Sequence, residues 1–328
     1  MIKKSLSIIL CIALIFSFSL IFYGCEKPIT GEFPVTIGDT TIKAEPKNVV
    51  VLSDNFADII SYIGYDVKFV GRSADIDQEF LSVVPSVGTK ENPSIDLITE
   101  FQTDLIITNN TLSDNSKQQI TEKGIPVLQL QDATTMDELK TLYTNLGTAL
   151  GGEKTGKTKG EDAYNDLIDT LDSFKNSVSR SIIKTACYLY LNENGELCTF
   201  TKDSIESQLF SYCSVTNIFA DQESPVVDID KLRLATPSYI FYSDEFTLQA
   251  ITKNEDLKNM SAIKNNNLAE IPFKNFKRQG VTYQDTVYKI MDLVFIQSKA
   301  SKDEETTMST TVTQAPSTNK ETTAPETE

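Results

Sequence analysis

Residues 161–180, EDAYNDLIDTLDSFKNSVSR, stand between two halves of the chain that both alternate strand and helix patterns. Their apolar side chains recur on one helix face, at Ala163, Leu167, Leu171, Phe174 and Val178. A single helix over these residues is about 30 Å long, roughly the diameter of a small domain. The pattern therefore predicts a rigid helix, within a linker at 153–182, that joins two α/β lobes.

Each half predicts a lobe built on a parallel sheet. Short apolar runs that suit buried strands alternate with amphipathic helical patterns, and such repeats place helices on both faces of a sheet. The first lobe is expected at 46–152, with strands at 48–52, 67–70, 104–108 and 126–130. The second is expected at 183–300, with strands at 185–191, 239–242 and 268–271 and a closing helix at 283–296. A tether and a hairpin around Gly38-Asp39 are predicted before them, at 25–45.

The two ends of the chain indicate segments outside the fold. Lys3 and Lys4 precede an uncharged apolar run at 6–23, which is followed by Gly24 and Cys25. This pattern predicts a signal peptide at 1–24 and resembles the lipobox of bacterial lipoproteins; an uncleaved membrane anchor is the alternative. The resemblance implies an extracytoplasmic protein that is anchored to the cell membrane by a lipid on Cys25. Residues 301–328, rich in Thr, Glu, Ser and Pro, predict a disordered tail.

The composition excludes several kinds of function. The 328-residue chain has a formal net charge of −16, which disfavours nucleic acid as a partner because that binding rests on cationic side chains. It has no histidine, so Ser-His-Asp catalysis and histidine zinc sites are excluded. None of the five cysteines has CxxC spacing, and no metal site is predicted. Two possibilities stay open for Cys187, Cys198 and Cys213. Either the first two form a disulfide, or all three are buried thiols.

Several short stretches resemble the iron-siderophore and cobalamin type of substrate-binding protein, the class III receptors of ABC importers. They are PKNVVVLS at 46–53, VGRS at 70–73, VPSVG at 84–88, PSIDLI at 93–98 and the run at 230–240. The resemblance covers about residues 33–298 and implies two Rossmann-like α/β lobes joined by one long helix, with a ligand cleft between them. It also implies a monomeric receptor with an ABC permease and its ATPase as partners. The implied ligand is a metal chelate, namely a ferric siderophore, haem or a corrinoid, and no separate cofactor is expected.

Members of this family dock on the permease through one acidic residue on the top of each lobe, usually glutamate. The matching positions here are Asp96 and Asp230, each predicted at the start of a helix. A carboxylate there is favoured by the helix dipole and stays exposed for an arginine of the permease. An ordinary helix-capping acid is the alternative, and the resemblance favours docking.

The predicted ligand contacts lie in loops that follow strands, because α/β lobes bind ligands outside the carboxyl ends of parallel strands. They are Asp54, Asn55, Arg72, Asn109, Tyr190, Lys202, Tyr242 and Arg278. The two arginines are candidates for an anionic group, since a guanidinium offers a bidentate fork. The two tyrosines are candidates for stacking on a flat chelate. The alternatives are surface ion pairs for the arginines and strand packing for the tyrosines.

Three functional hypotheses follow from these patterns. The leading one is a receptor that delivers a metal chelate to an ABC permease, with little lobe movement because one stiff helix joins the lobes. The second is an extracytoplasmic enzyme on the same fold class, for which the chain shows neither a GxSxG motif nor a histidine. The third is a sensor or interaction lipoprotein without a transport role. Import of bare zinc or manganese is disfavoured, because the receptors for those ions usually supply histidine ligands.

Overall fold

The computed structural model describes residues 31–178, 183–202 and 204–296. The signal segment at 1–24, Cys25 and the tail at 301–328 lie outside these ranges, and what was expected of them stays a prediction. Among the described residues, no helix is both long enough and apolar enough to cross a membrane.

The first lobe is a four-stranded parallel sheet preceded by a hairpin. The hairpin pairs β1 (Val35–Ile37) with β2 (Thr40–Ile42) in antiparallel fashion, as the Gly-Asp turn predicted. The lobe then continues through β3 (Val49–Val51), α1 (Asp54–Ile63), β4 (Phe69–Arg72), α2 (Ile95–Glu100), β5 (Leu105–Thr108), α3 (Asp114–Glu122) and β6 (Val127–Gln129). The strand order is β4-β3-β5-β6, and all three pairings are parallel. Short 3-10 turns occur at Asp66–Lys68 and Glu79–Leu81.

Two helices connect the lobes. Helix α4 (Met136–Gly151) completes the first lobe, and α5 (Lys157–Ser177) is the long helix that leads to the second. A π-helical turn, Gly152–Gly156, lies between them. With 21 residues, α5 is about 30 Å long, as the sequence predicted, although it begins earlier and ends before residue 178.

Glycines let α4 and α5 pack side by side. A side chain on Gly147 would lie 2.3 Å from the carbonyl oxygen of Gly156, and one on Gly160 would lie 2.3 Å from that of Tyr143. The contact moves back along α4 from Gly147 to Tyr143 as it moves forward from Gly156 to Gly160. The two helices therefore run antiparallel. The chain reverses direction at Gly152, whose φ of +94° is a conformation that favours glycine. The close pairing of these two helices was not predicted from the sequence.

The second lobe is also built on a mainly parallel sheet. Its elements are β7 (Lys184–Leu191), β8 (Leu197–Cys198), α6 (Ile205–Tyr212), β9 (Val215–Asn217), α7 (Ile229–Ala235), β10 (Tyr239–Tyr242), α8 (Glu245–Thr252), α9 (Ser261–Lys264), β11 (Leu268–Glu270), α10 (Phe273–Lys277) and α11 (Val281–Met291). A π-helical turn, Asp292–Ile296, follows α11. Strand β7 pairs in parallel with β10 and β9 and in antiparallel fashion with β8, while β11 lies outside β10.

The α/β architecture with two lobes and a connecting helix is therefore confirmed. The largest shift of a predicted strand is at β4, where a 3-10 turn occupies 66–68 and the strand begins at Phe69. Elements β9, α8, α9 and α10 were not predicted from the sequence. The three described cysteines, Cys187, Cys198 and Cys213, are buried free thiols.

One apolar core extends through both lobes. The same cluster of buried side chains includes Val49 of β3, Leu146 of α4, Leu167 of α5, Phe241 of β10 and Tyr283 of α11. Two smaller clusters lie on the other faces of the two sheets. Because densely packed interiors deform little, this shared core predicts that the lobes behave as one rigid unit.

Candidate functional site: the cleft between the lobes

The carboxyl ends of the parallel strands meet where the lobes face each other. In the first lobe, β3 is followed by Asp54 and Asn55, and β4 by a loop at 73–78. In the second lobe, β11 is followed by α10, which carries Lys274 and Lys277 and leads to Arg278. Side-chain contacts join these segments across the cleft, and they define its chemistry.

A single carboxylate of the first lobe bridges two cations of the second. The Asp77 Oδ1 atom lies 2.5 Å from Nη2 of Arg278, and its Oδ2 atom contacts the ammonium of Lys274. The Nε atom of Arg278 lies 3.3 Å from Oδ2 of Asp54. Only 5% of the Arg278 side chain is exposed, so this guanidinium depends on its acidic partners. Burial, and after it the neighbouring Arg278, lowers the pKa of Lys274.

A buried amide network lies next to the ion pairs. Asn55 donates from Nδ2 to Asp132 at 2.8 Å and to Oε1 of Gln279 at 3.0 Å, and its Oδ1 accepts the backbone N–H of Gln279 at 2.9 Å. Asn109 donates to the same Asp132 carboxylate at 2.9 Å. The Tyr143 hydroxyl donates to the carbonyl of Gln279 at 2.8 Å. Residue 279 of the second lobe is thus held almost entirely by the first.

The first lobe also caps a helix of the second. The buried Asp58 carboxylate accepts the backbone N–H of Gly280 at 2.8 Å, the N–H of Thr282 at 3.0 Å and the Thr282 hydroxyl at 2.7 Å. These donors lie at the N-terminus of α11, where N–H groups have no partner within the helix. A side chain on Gly280 would lie 2.3 Å from the Asp58 carbonyl oxygen, so glycine permits this approach. Burial raises the pKa of Asp58 to about 6, and the hydrogen bonds oppose that shift.

Aromatic rings of the second lobe pack beside the cations. The Tyr190 ring lies 4.8 Å from that of Phe273 and 5.9 Å from that of Phe200, measured between ring centroids. Phe273 begins α10, directly before Lys274. Tyr190 is half-buried in this cluster, and Tyr242 is half-buried at the end of β10. Stacking of either tyrosine on a ligand stays a prediction.

Two of the predicted ligand contacts are bonded within their own lobes. Arg72 donates to the carbonyl oxygens of Ile76 at 2.6 Å and Leu81 at 3.1 Å, so its guanidinium fixes the loop that follows β4. Lys202 contacts the carboxylate of Glu223, and both side chains are exposed. The structure therefore brings Asp54, Asn55 and Arg278 together, whereas Arg72 and Lys202 have other partners. A ligand role for these residues stays a prediction.

Asp77 and Lys274 were not singled out from the sequence, and neither were the contacts that Lys277 and Gln279 make. A signal for the two lysines was present in FKNFKR at 273–278, where two phenylalanines three residues apart are interleaved with cations. That spacing indicates a short helix with an aromatic face, and Lys277 in this helix lies 2.5 Å from Glu206. Asp77 gave no signal, because it lies in a loop and its partners come 197 and 201 residues later.

The two predicted docking acids lie in first turns of helices. Asp96 is the second residue of α2, behind the capping side chain of Ser94, and it is exposed. Asp230 is the second residue of α7, behind the capping Asp228, and it is exposed as well. Its Oδ1 atom lies 2.8 Å from Nη2 of Arg233. Contact with a permease stays a prediction for both residues.

Two cavities of the first lobe lie away from the bridging ion pairs. One, of about 850 Å³, lies between the hairpin β1–β2 and the edge formed by β6 and α3. The other, of about 590 Å³, lies beside the first half of α4 and is lined in part by Asp132 of the amide network. Among residues 31–178, 183–202 and 204–296, no cluster of thiol and carboxylate groups is arranged to hold a metal ion.

Two α/β lobes joined by a long helix, with a polar cleft at their strand ends, define a two-lobed solute-binding protein. The chain belongs to the periplasmic binding protein family, whose sequence pattern matches residues 49–274, more than half of its length. This family is the one that the short stretches at 46–53 and 84–98 predicted.

Relatives from Bacillus subtilis strain 168 resemble most of the chain. It is 24% identical over 279 residues to the uncharacterized ABC transporter substrate-binding lipoprotein YvrC, covering 82% of this chain and 88% of YvrC. It is 24% identical over 271 residues to the Fe(3+)-citrate-binding protein YfmC, covering 77% of this chain and 84% of YfmC. The fold resembles that of the periplasmic heme binding protein HutB of Vibrio cholerae, with a TM-score of 0.62, 13% identity and coverage of 76% and 98%. All three are named as binding proteins.

Proposed function

We propose that this protein is an extracytoplasmic receptor that binds a negatively charged ferric chelate between its lobes and delivers it to an ABC permease. Of the ligands expected from the sequence, a ferric siderophore or similar complex with carboxylate groups is favoured over haem and corrinoids. Cys25 carries the lipid that anchors the receptor, and Asp96 and Asp230 contact the permease. No chemical step is assigned to the protein.

One observation carries this proposal: α10 presents cations to the cleft of a strongly acidic protein. Lys274, Lys277 and Arg278 lie within five residues, although the whole chain has a net charge of −16. Their partners are carboxylates: Asp77 lies between Lys274 and Arg278, and Glu206 pairs with Lys277. Guanidinium and ammonium groups make strong charge-assisted hydrogen bonds with carboxylates, so carboxylates of a chelate find the same donors.

Ligand chemistry separates the candidates. Ferric citrate and carboxylate siderophores are anionic, which matches the cations of α10 and the binding activity of the relative YfmC. Cobalamin is neutral overall and gains nothing from a buried guanidinium. Haem also carries two carboxylates, but its iron takes an axial ligand, and without histidine this chain could supply only tyrosine, methionine or cysteine.

A thermal-shift series tests the proposal. The mature protein is heated with ferric citrate, ferrichrome, haemin or cyanocobalamin at equal concentration. A ligand present at a hundred times its Kd stabilises the folded state by about 2.7 kcal/mol, or roughly 5–10 °C in Tm for a chain of this size. We expect this shift with ferric citrate and not with iron-free citrate or cyanocobalamin. A larger shift with cyanocobalamin or haemin would contradict the anionic-chelate proposal.

The cations are tested by one variant and its control. Lys274→Ala should weaken ferric citrate binding by about tenfold, the effect of losing one charge-assisted contact. Lys253→Ala removes another lysine of the second lobe, whose side chain contacts Gln249 on α8, and should leave the affinity unchanged. Equal affinities of Lys274→Ala and wild type would place the ligand elsewhere.

The lipid anchor has its own measurement. Cells that express the full chain should incorporate radiolabelled palmitate into the protein, and Cys25→Ser should abolish the label. Cys11→Ser, which changes the other cysteine of the N-terminal segment, should retain it. Label that persists in Cys25→Ser would contradict lipidation at this residue.

A further inference from the structure

The contact of Asp77 with Lys274 and Arg278 has the geometry of a bound carboxylate. Each oxygen of Asp77 serves a different cation, and both cations belong to the opposite lobe. A carboxylate of a ligand between the lobes would meet the same two donors. Asp77 and an anionic ligand therefore compete for one position.

Exposure shows that this contact can exchange without unfolding. The side chains of Asp77 and Lys274 are 50% and 44% exposed, so solvent and ligand reach them. The loop around Asp77 is held by Arg72, which bonds to the carbonyl of Ile76, and by Gln78, which donates to the carbonyl of Asp54. Rotation of the Asp77 side chain would release Lys274 and leave Arg278 paired with Asp54 alone.

Charge decides which ligands can make that exchange. Arg278 is nearly fully buried, and without Asp77 its remaining carboxylate partner is Asp54 at 3.3 Å. A buried guanidinium that loses a partner is strongly destabilised. A neutral ligand that displaced Asp77 would cause this loss, whereas an anionic ligand replaces one carboxylate with another.

We infer that Asp77 is a specificity-determining residue: it occupies the carboxylate position between Lys274 and Arg278 until an anionic ligand displaces it. The inference rests on the proposed function. Asp77 lowers the affinity for every anionic chelate, because its own contact must be broken first. In return, it prevents neutral chelates from binding at these cations.

Titration of three proteins with ferric citrate and with ferrichrome, a neutral ferric chelate, tests the inference. Asp77→Asn removes the competing charge and should bind ferric citrate about tenfold more tightly than wild type. Asp75→Asn is the matched control, because it removes the same charge from the same loop while its carboxylate pairs with Lys90 of its own lobe. It should change the affinity less than twofold. Ferrichrome binding should improve in Asp77→Asn, which no longer excludes neutral chelates, and should not improve in Asp75→Asn. Isothermal calorimetry gives the affinities, and Tm values of the free proteins verify that both variants are folded.

The outcomes separate the inference from the proposed function. Equal or weaker binding of ferric citrate by Asp77→Asn would overturn the inference and leave the proposed function standing. An equal gain for Asp75→Asn would also overturn it, because the effect would then be one of long-range charge. Unchanged ferrichrome binding by Asp77→Asn would overturn the role of Asp77 against neutral chelates. Absence of chelate binding by wild type and both variants would overturn the proposed function and this inference with it.

Discussion

At Asp58, burial and hydrogen bonding act on the same carboxyl group in opposite directions. Three donors from Gly280 and Thr282 favour the charged form, yet removal from water prevails and raises the pKa to about 6. The hydrogen bonds nevertheless fix the N-terminus of α11 to the first lobe. The same residue therefore joins the lobes and makes their stability depend on pH.

The direction of this pH effect follows from the raised pKa. The contribution of Asp58 to stability is complete below its usual pKa of 3.8 and is lost as the pH rises through about 6. A shift of two pKa units corresponds to about 3 kcal/mol at most. Asp58→Asn does not titrate, so its free energy of unfolding relative to wild type should rise by about 1–3 kcal/mol from pH 4 to pH 7. Urea unfolding at both pH values measures this difference.

An exposed carboxylate supplies the control for Asp58. Asp169→Asn, on the exposed face of α5, should follow the pH profile of the wild type. A difference between Asp58→Asn and wild type that is the same at both pH values would contradict the raised pKa.

Helices α4 and α5 illustrate a conflict between helix propensity and packing. Alanine is about 1 kcal/mol better than glycine within a helix, so Gly160→Ala would stabilise an isolated α5. In the protein, the new methyl group would lie 2.3 Å from the carbonyl oxygen of Tyr143, and backbone atoms must move. We expect the clash to prevail and Gly160→Ala to lose about 1–3 kcal/mol of stability. Denaturant unfolding measures the loss.

Asn165→Ala is the matched substitution for this test, because residue 165 is exposed on the same helix. It should be neutral or slightly stabilising, as helix propensity alone predicts. If Gly160→Ala is also stabilising, then α4 and α5 are not in close contact in solution.

The elements also show which parts of this protein its sequence could predict. The apolar periodicity of α5 and the runs at β3 and β5 extend over enough residues to identify them, and the strand-end rule then located Asp54 and Asn55. The α4–α5 pair escaped prediction because helical periodicity does not reveal a close contact between glycines. The network around Asp77 and Gln279 escaped because its partners lie more than 130 residues apart.

The whole molecule combines a shared apolar core with polar contacts across the cleft. The lobes are connected by α5 and also by the segment 278–282, which is bonded to α1 and to the loop at 73–78. Hinge closure would have to break these contacts together. We therefore expect ferric citrate to change the radius of gyration by less than about 1 Å, measured by small-angle X-ray scattering. A compaction of several ångströms would contradict the rigid arrangement.

Transport requires a second protein, and the docking acids can be tested apart from the cleft. Asp96→Lys and Asp230→Lys should bind ferric citrate as wild type does, because both residues are exposed in first turns of helices. Uptake of labelled iron by cells should fall at least about tenfold, since each new lysine would repel the permease arginine that the carboxylate is proposed to contact. Asp114→Lys and Glu245→Lys, exposed acids at the starts of α3 and α8, should retain uptake. Loss of affinity in the first pair would place those acids in ligand binding instead.

The cap on α11 has a consequence for the way the chain is made. Asp58 and its partner Thr282 are separated by 224 residues, so a chain synthesised from its N-terminus presents the carboxylate long before its donors. Until those donors emerge, Asp58 remains hydrated and the two lobes cannot lock. The contact that fixes α11 to the first lobe can therefore form only after nearly the whole folded part of the chain is available.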